Sequence, residues 1–188
     1  MSRKLIASQF LTLDGVMSAP EQWNSKFLND TEIVSEILSD FSGSDLLLLG
    51  KTTYDFFAAR WPSRTSAMAD HLNTCAKVVI STTLQSAEWN NTKIIRDNEM
   101  EEIVKLKEQP GRNIIVLGSY QLVQSLIVND LIDEYKLYIH PLTLGKGKRL
   151  FDLATPPLTL KLITARPFAS GVIAAVYQTE KTDSNDLK

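Results

Sequence analysis

The 188-residue chain has room for one sizeable domain, and its 44% hydrophobic and 22% charged residues are ordinary for a globular protein. Lysine plus arginine (20) against aspartate plus glutamate (22) leaves a formal charge of -2, which argues against a surface built to neutralise many nucleic-acid phosphates. Cys75 is the single cysteine; it excludes an internal disulfide and a thiolate metal cluster and reads as a small buried hydrophobe rather than a nucleophile.

Met1-Ser2-Arg3-Lys4 leads into a run interrupted by Ser8, Gln9 and Thr12, so no signal peptide is expected. No segment reaches the roughly 20 apolar residues that cross a bilayer, and a soluble, cytoplasmic protein is the expectation. The first strand is predicted over residues 4–13, closing on the turn pair Asp14-Gly15. A helix should open after Asn29 or Asp30: Asn29 and Glu32 have capping-box spacing, and Ile33, Val34, Ile37, Leu38 and Phe41 form one apolar stripe that Gly43 stops. The four leucines at 46–49 are a short continuous apolar run, as in a strand buried on both faces, and Gly50 ends it before a helix through Tyr54, Phe56 and Phe57.

A helix is predicted near residues 67–75, a strand at Val78-Val79-Ile80 and a short strand at Ile94-Ile95. Asn98 and Glu101 are placed to cap a helix carrying Met100, Ile103, Val104 and Leu106, which Pro110-Gly111 terminates. Ile114 to Leu117 form a third central strand closed by Gly118, and residues 120–130 an amphipathic helix with Leu122, Val123, Leu126 and Ile127 on one face. Beyond Asp133 the alternation stops: 135–140, 158–165 and 172–179 are all strand-like, so the chain should end in antiparallel strands. Residues 1–180 read as one domain and the polar segment 181–188 as a flexible tail.

Two strand-to-helix junctions put backbone N–H groups where they can meet an anion. At Leu49-Gly50-Lys51-Thr52-Thr53 the helix N-terminus is joined by a lysine and two hydroxyls; at Leu117-Gly118-Ser119-Tyr120-Gln121 glycine admits a phosphate and Ser119 can cap the helix or bond the phosphate. Asp45 stands where a P-loop has its first glycine, so the first junction is not a Walker motif. Either junction alone also fits an ordinary helix start. Two at the carboxyl ends of central strands, with Ser81-Thr82-Thr83 at the same edge, point to phosphate binding.

The ordered set Leu11 to Gly15, Leu49 to Tyr54, Arg60-Trp61-Pro62, Val79-Ile80-Ser81, Leu117-Gly118, Leu131 to Tyr135, Pro141 to Gly147 and Leu150-Phe151 resembles the dihydrofolate-reductase-like proteins that share the reductase domain of the riboflavin-biosynthesis deaminase/reductase. The resemblance covers nearly the whole chain. It implies a three-layer α/β/α fold whose mixed, mainly parallel sheet ends in antiparallel strands. It also implies NADPH as cofactor, with the Gly50 and Gly118 junctions around the phosphates and Leu13, Gly15 and Val16 near the nicotinamide. Homodimers are common in the family. Three departures stand out against the family pattern: Lys51 and Thr82 where it usually has arginine, and Ser119 where it has a second glycine, and as a set they reduce the charge available to a 2′-phosphate.

The function so implied is an NADPH-dependent reductase that passes hydride to a small heterocyclic (pterin- or pyrimidine-like) or carbonyl substrate. A nucleotide-binding protein that keeps the fold without the reaction is the alternative. Asp14 is the first candidate proton donor, or else a turn residue; Asp30 is the second, although helix starts favour aspartate as a cap. His71, His140 and Cys75 lack metal-ligand spacing, and Lys146, Lys148 and Arg149 around two glycines read as a solvated turn.

Overall fold

The four leucines at 46–49 are buried as their pattern requires, and they show how the layers form. Leu46 and Leu48 pack with one cluster of buried side chains, Leu47 and Leu49 with another on the opposite face of the sheet. The computed structural model describes residues 3–152 and 155–180. The tail expected at 181–188 lies outside the described residues. In chain order the elements are β1 (Leu5–Thr12), α1 (Thr31–Ser42), β2 (Ser44–Gly50), α2 (Lys51–Ala58), α3 (Ala67–Thr74), β3 (Ala76–Ile80), β4 (Thr92–Ile95), α4 (Glu99–Glu108), β5 (Asn113–Val116), α5 (Tyr120–Val128), β6 (Glu134–His140), β7 (Leu160–Pro167) and β8 (Ile173–Thr179). Among the described residues no helix is long and apolar enough to cross a membrane.

The eight strands lie in the order β4-β3-β2-β5-β1-β6-β8-β7. All neighbours are parallel except β8, which is antiparallel to both β6 and β7. The antiparallel ending expected after Asp133 is therefore made by one reversed strand, while β6 itself runs with the parallel body beside β1. The reason is α5, which carries the chain from β5 past β1 and so returns it in the same direction.

Helix α1 buries Ile33, Ile37 and Phe41 on the face that also holds Leu47, Leu49, Tyr54 and Leu72. Helices α4 and α5 bury Ile103, Leu106, Leu122, Val123, Leu126 and Ile127 on the other. Each fully buried leucine or isoleucine in these layers stabilises the fold by roughly 1.5–3 kcal/mol. A polar network, unforeseen in the sequence, pins α1 to the sheet. Lys136 of β6 donates to Glu36 at 2.6 Å and Asp40 at 2.5 Å, Tyr138 donates to Asp40 at 2.6 Å, and Arg166 of β7 reaches Glu32 and Glu36. Burial opposes the lysine's charge, but its hydrogen bonds to Asp40 and Glu36 outweigh that cost and raise its pKa.

The helix starts sort differently from their sequence pattern. Asp30 caps α1 by accepting from the Glu32 amide, and Ser66 caps α3 by accepting from Ala69. Asn98 was expected to cap α4 but makes no cap bond: its backbone is left-handed at φ 53°, and the acidic side chains of Glu99, Glu101 and Glu102 meet the helix dipole instead.

Candidate functional site

The connections out of β1 and β5 leave on opposite faces. Helix α1 takes the chain from β1 past β5 to β2, and α5 takes it from β5 past β1 to β6. Such a switch point opens a crevice beyond the carboxyl ends of the two strands. Here β1 and β5 pair over only three positions, Leu5, Ile6 and Ala7 against Ile114, Ile115 and Val116. Past them the strands part, and the buried Gln9 side chain donates to the Val116 carbonyl at 2.8 Å in place of a ladder bond.

Both sequence-nominated junctions stand at this crevice and touch each other. The Gly50 amide donates to the Gly118 carbonyl at 3.0 Å. A Cβ at Gly50 would stand 2.1 Å from Ser119 Oγ and 2.9 Å from the Ser119 amide nitrogen, so only glycine lets the two junctions meet. Gly118 has φ +112°, a conformation glycine alone adopts readily, and a Cβ there would sit 3.0 Å from Thr53 Oγ1. Neither α2 nor α5 carries a side-chain cap bond at its start. The Ser119 hydroxyl, expected to cap or to bind phosphate, therefore does not cap α5. Glycine cradles beside two uncapped helix starts fit the pyrophosphate of a dinucleotide.

The remaining nominated residues divide. Thr52 is exposed and Thr53 half-buried on the first turn of α2, where Lys51 makes an exposed ion pair with Asp55 at 2.5 Å. Ser81 is buried and its hydroxyl accepts from the Thr83 and Leu84 amides, shaping the turn after β3; Thr82 is exposed beside it. Tyr120 donates its hydroxyl to Asp152 and carries Lys148 over its ring at 5.0 Å, while Gln121 is exposed.

On the opposite wall Leu13 is 68% exposed, and Gly15, at φ +81°, turns the chain back towards Val16. Asp14 is the hub of this wall. Its carboxylate accepts from Thr12 Oγ1 at 2.5 Å, from the Gly145 amide at 2.8 Å and from the Leu144 amide at 3.2 Å. Arg149 Nε donates to the Asp14 carbonyl at 3.0 Å, and Met17 and Leu150 complete the clasp through backbone bonds to Lys148 and Gly15. These bonds, led by that from Thr12, bring the carboxyl down from the ordinary 3.8 to about 2. An ionised carboxylate cannot donate a proton near neutrality, so the geometry of Asp14 is that of a turn residue holding the 144–150 loop. The geometry of Asp30 is that of a cap. The basic loop read as a solvated turn is thus docked on 13–18.

Sequence reasoning weighed His140, which ends β6 opposite Thr12, only as a metal ligand. Its Nδ1 lies 2.8 Å from the Tyr138 carbonyl and 3.1 Å from that of Leu11, so Nδ1 carries the proton. Burial holds the ring neutral by lowering its pKa, and Phe10, Trp23 and Phe27 surround it at 5.0–5.6 Å.

The RibD C-terminal domain matches residues 3–174. The uncharacterized protein YyaP of Bacillus subtilis (strain 168) is 30% identical over 181 residues, covering 93% of this chain and 94% of that protein. Among solved structures, a putative riboflavin biosynthesis protein from Shewanella sp. PV-4 superposes with a TM-score of 0.73 at 20% identity, over 96% of this chain and all (100%) of the other. The Enterococcus faecalis dihydrofolate reductase complexed with NADP(H) superposes with a TM-score of 0.63 at 14% identity, over 95% and 99% of the two chains. These two likenesses carry the fold, a dihydrofolate-reductase-like α/β arrangement.

Proposed function

This chain belongs to the RibD C-terminal domain family, a reductase-like fold, and from that premise we propose that it is an NADPH-dependent reductase acting on a small heterocyclic (pterin- or pyrimidine-like) or carbonyl substrate. The observation that carries the reading is the contact between the Gly50 and Ser119 junctions, which holds two uncapped helix starts together beside the switch-point crevice. When bound, the dinucleotide supplies the hydride. The chain's own part is to bind and orient: Gly50, Thr52, Thr53, Gly118 and Ser119 face the phosphates, and Leu13 and Gly15 line the wall where the nicotinamide fits. The ring of Phe10, Trp23 and Phe27 around His140 excludes water from the far side.

One observation favours the second reading, a nucleotide-binding protein without turnover: Asp14 is locked in its loop and Asp30 in its cap. Fluorescence titration with NADPH, followed by a panel of pterins, pyrimidines and small carbonyls, separates the two. Binding with substrate-dependent oxidation of NADPH is the expected result, binding without oxidation across the panel favours the second reading, and no binding removes both. We also propose a homodimer, supported by edge strand β7 with Leu162 and Ile163 exposed.

A further inference from the structure

A polar atom that the fold leaves unsatisfied lies at the carboxyl edge of the sheet. His140 is completely buried (0% exposed), and its Nε2 has no hydrogen-bond partner among the described residues. The residue stands beside Thr12, so the imidazole is one strand spacing, about 4.8 Å, from the chain that continues into Leu13 and the crevice wall.

The tautomer decides what this atom can take. Nδ1 sits between the Leu11 and Tyr138 carbonyls and has to donate, so Nε2 of the neutral ring is an acceptor only. The same bonds fix the ring's direction: Nδ1 faces the strand backbones, and Nε2, across the imidazole, is turned away from them into the layer of Phe10, Trp23 and Phe27. Those rings meet the imidazole edge to face, at interplanar angles of 75–89°. The strong donor in the layer, the Trp23 indole N–H, is spent on the Ser18 carbonyl at 3.0 Å. An acceptor buried without a donor costs free energy, which a bound group supplying the donor would return.

We propose that His140 reads the substrate, Nε2 accepting from an N–H at the edge of a planar heterocycle of the pyrimidine or pterin class. The assignment rests on the reductase reading of the crevice and narrows it. A flat ring packs among three aromatic side chains, and a lactam or amino N–H in its plane supplies the missing donor. A simple carbonyl compound brings a second acceptor, sets two lone pairs against each other and is rejected. His140 is enclosed, so the heterocycle displaces part of the layer. Trp23 is the member placed to move, being half-buried and bonded through its indole to its own loop.

The test is side-chain nitrogen NMR of the full chain, with and without NADP+, which binds in place of NADPH and passes no hydride. The chain has two histidines, so His71→Gln leaves the His140 signals alone in the spectrum. 5,6-Diaminouracil and pterin carry N–H donors, whereas 1,3-dimethyluracil has the ring without one. Either donor probe should move the Nε2 resonance towards that of a hydrogen-bonded nitrogen while Nδ1 keeps its proton, and 1,3-dimethyluracil should leave it in place. His140→Phe keeps the aromatic layer without an acceptor; it should weaken the donor probes about ten- to a hundred-fold and NADPH by less than about two-fold. His140→Gln, whose carbonyl accepts, should recover part of the loss. Donor probes that bind without moving Nε2, or that bind His140→Phe as tightly as the parent, overturn the assignment and leave the reductase reading standing. Failure of both donor probes to bind, with or without NADP+, overturns it too. A shifted Nε2 with no NADPH oxidation supports His140 as the reader and removes turnover instead.

Discussion

Helices α1 and α3 begin on side chains that satisfy their own backbone, whereas α2 and α5 begin on Gly50 and Ser119 with no such bond. All four helices have the same unpaired first-turn amides to satisfy. Where the start serves only the fold, Asp30 or Ser66 supplies an oxygen at 3.0 or 3.1 Å. Where two starts meet at the switch point, the position is held by a glycine that has no side chain and by a serine turned towards that glycine. The difference teaches that a missing cap is informative when it recurs at one place: α4 also lacks a cap bond, but only α2 and α5 have starts that touch each other.

The comparison breaks most visibly at Gly50. Gly50→Ala would press a methyl group against the Ser119 amide, which cannot move without its helix, and should destabilise the chain by about 1–3 kcal/mol while abolishing measurable NADPH binding. Adding Ser119→Gly removes the hydroxyl clash but not the amide contact at 2.9 Å, so thermal melts of the double variant should show partial recovery only. Full stability in Gly50→Ala alone would mean that the junctions are not in contact.

A smaller effect sharpens the contrast between the two kinds of helix start. Ser66→Ala and Asp30→Ala should each lose about 1 kcal/mol in denaturant unfolding with NADPH affinity unchanged. Ser119→Ala should show the reverse, with little change in unfolding and a several-fold loss in NADPH titration. Equal unfolding losses at Ser66 and Ser119 would erase the distinction.

The smallest effect concerns Asp14. Its folded pKa of about 2 lies below the ordinary 3.8, so its ionised form adds stability that is fully present above pH about 4 and lost as pH falls through about 2. The melting temperature of the parent should therefore exceed that of Asp14→Asn by a constant margin near neutrality, and the margin should close between those two pH values. A margin that instead changes near pH 6–7 would restore Asp14 as a candidate acid.

What was legible in the sequence was what neighbouring residues decide. The leucines at 46–49, the stripe of α1 and the glycines that end β2 and the strand at 114–117 announce themselves within a few positions, and the family likeness set them in order. Asp14 had two readings because its partners, Leu144 and Gly145, are 130 and 131 residues away. Ser119 looked like a cap because only the packing of β5 against β2 brings Gly50 to its hydroxyl. Asn98 and Glu101 had the right spacing, but spacing does not report the backbone angle on which a cap depends. Lys136 resembled any polar residue in a strand until α1 brought Glu36 and Asp40 over it.

The short pairing of β1 with β5 also has a mechanical side. To its left, β5 is laddered to β2 and β2 to β3; to its right, β1 is laddered to β6 over seven positions and tied to the 144–150 loop through Asp14. The wall carrying Gly50 and Gly118 and the wall carrying Leu13 and Gly15 therefore stand on two halves of the sheet that are joined, within the sheet, by three residue pairs and the Gln9 bond. That joint is the shortest ladder in the sheet, so amide exchange in the unliganded chain should be faster across it than across the seven-pair β1–β6 ladder. A dinucleotide bridging the walls would act as a strut across that joint, and the slowing of amide exchange on its binding should be steepest at residues 5–7 and 114–116.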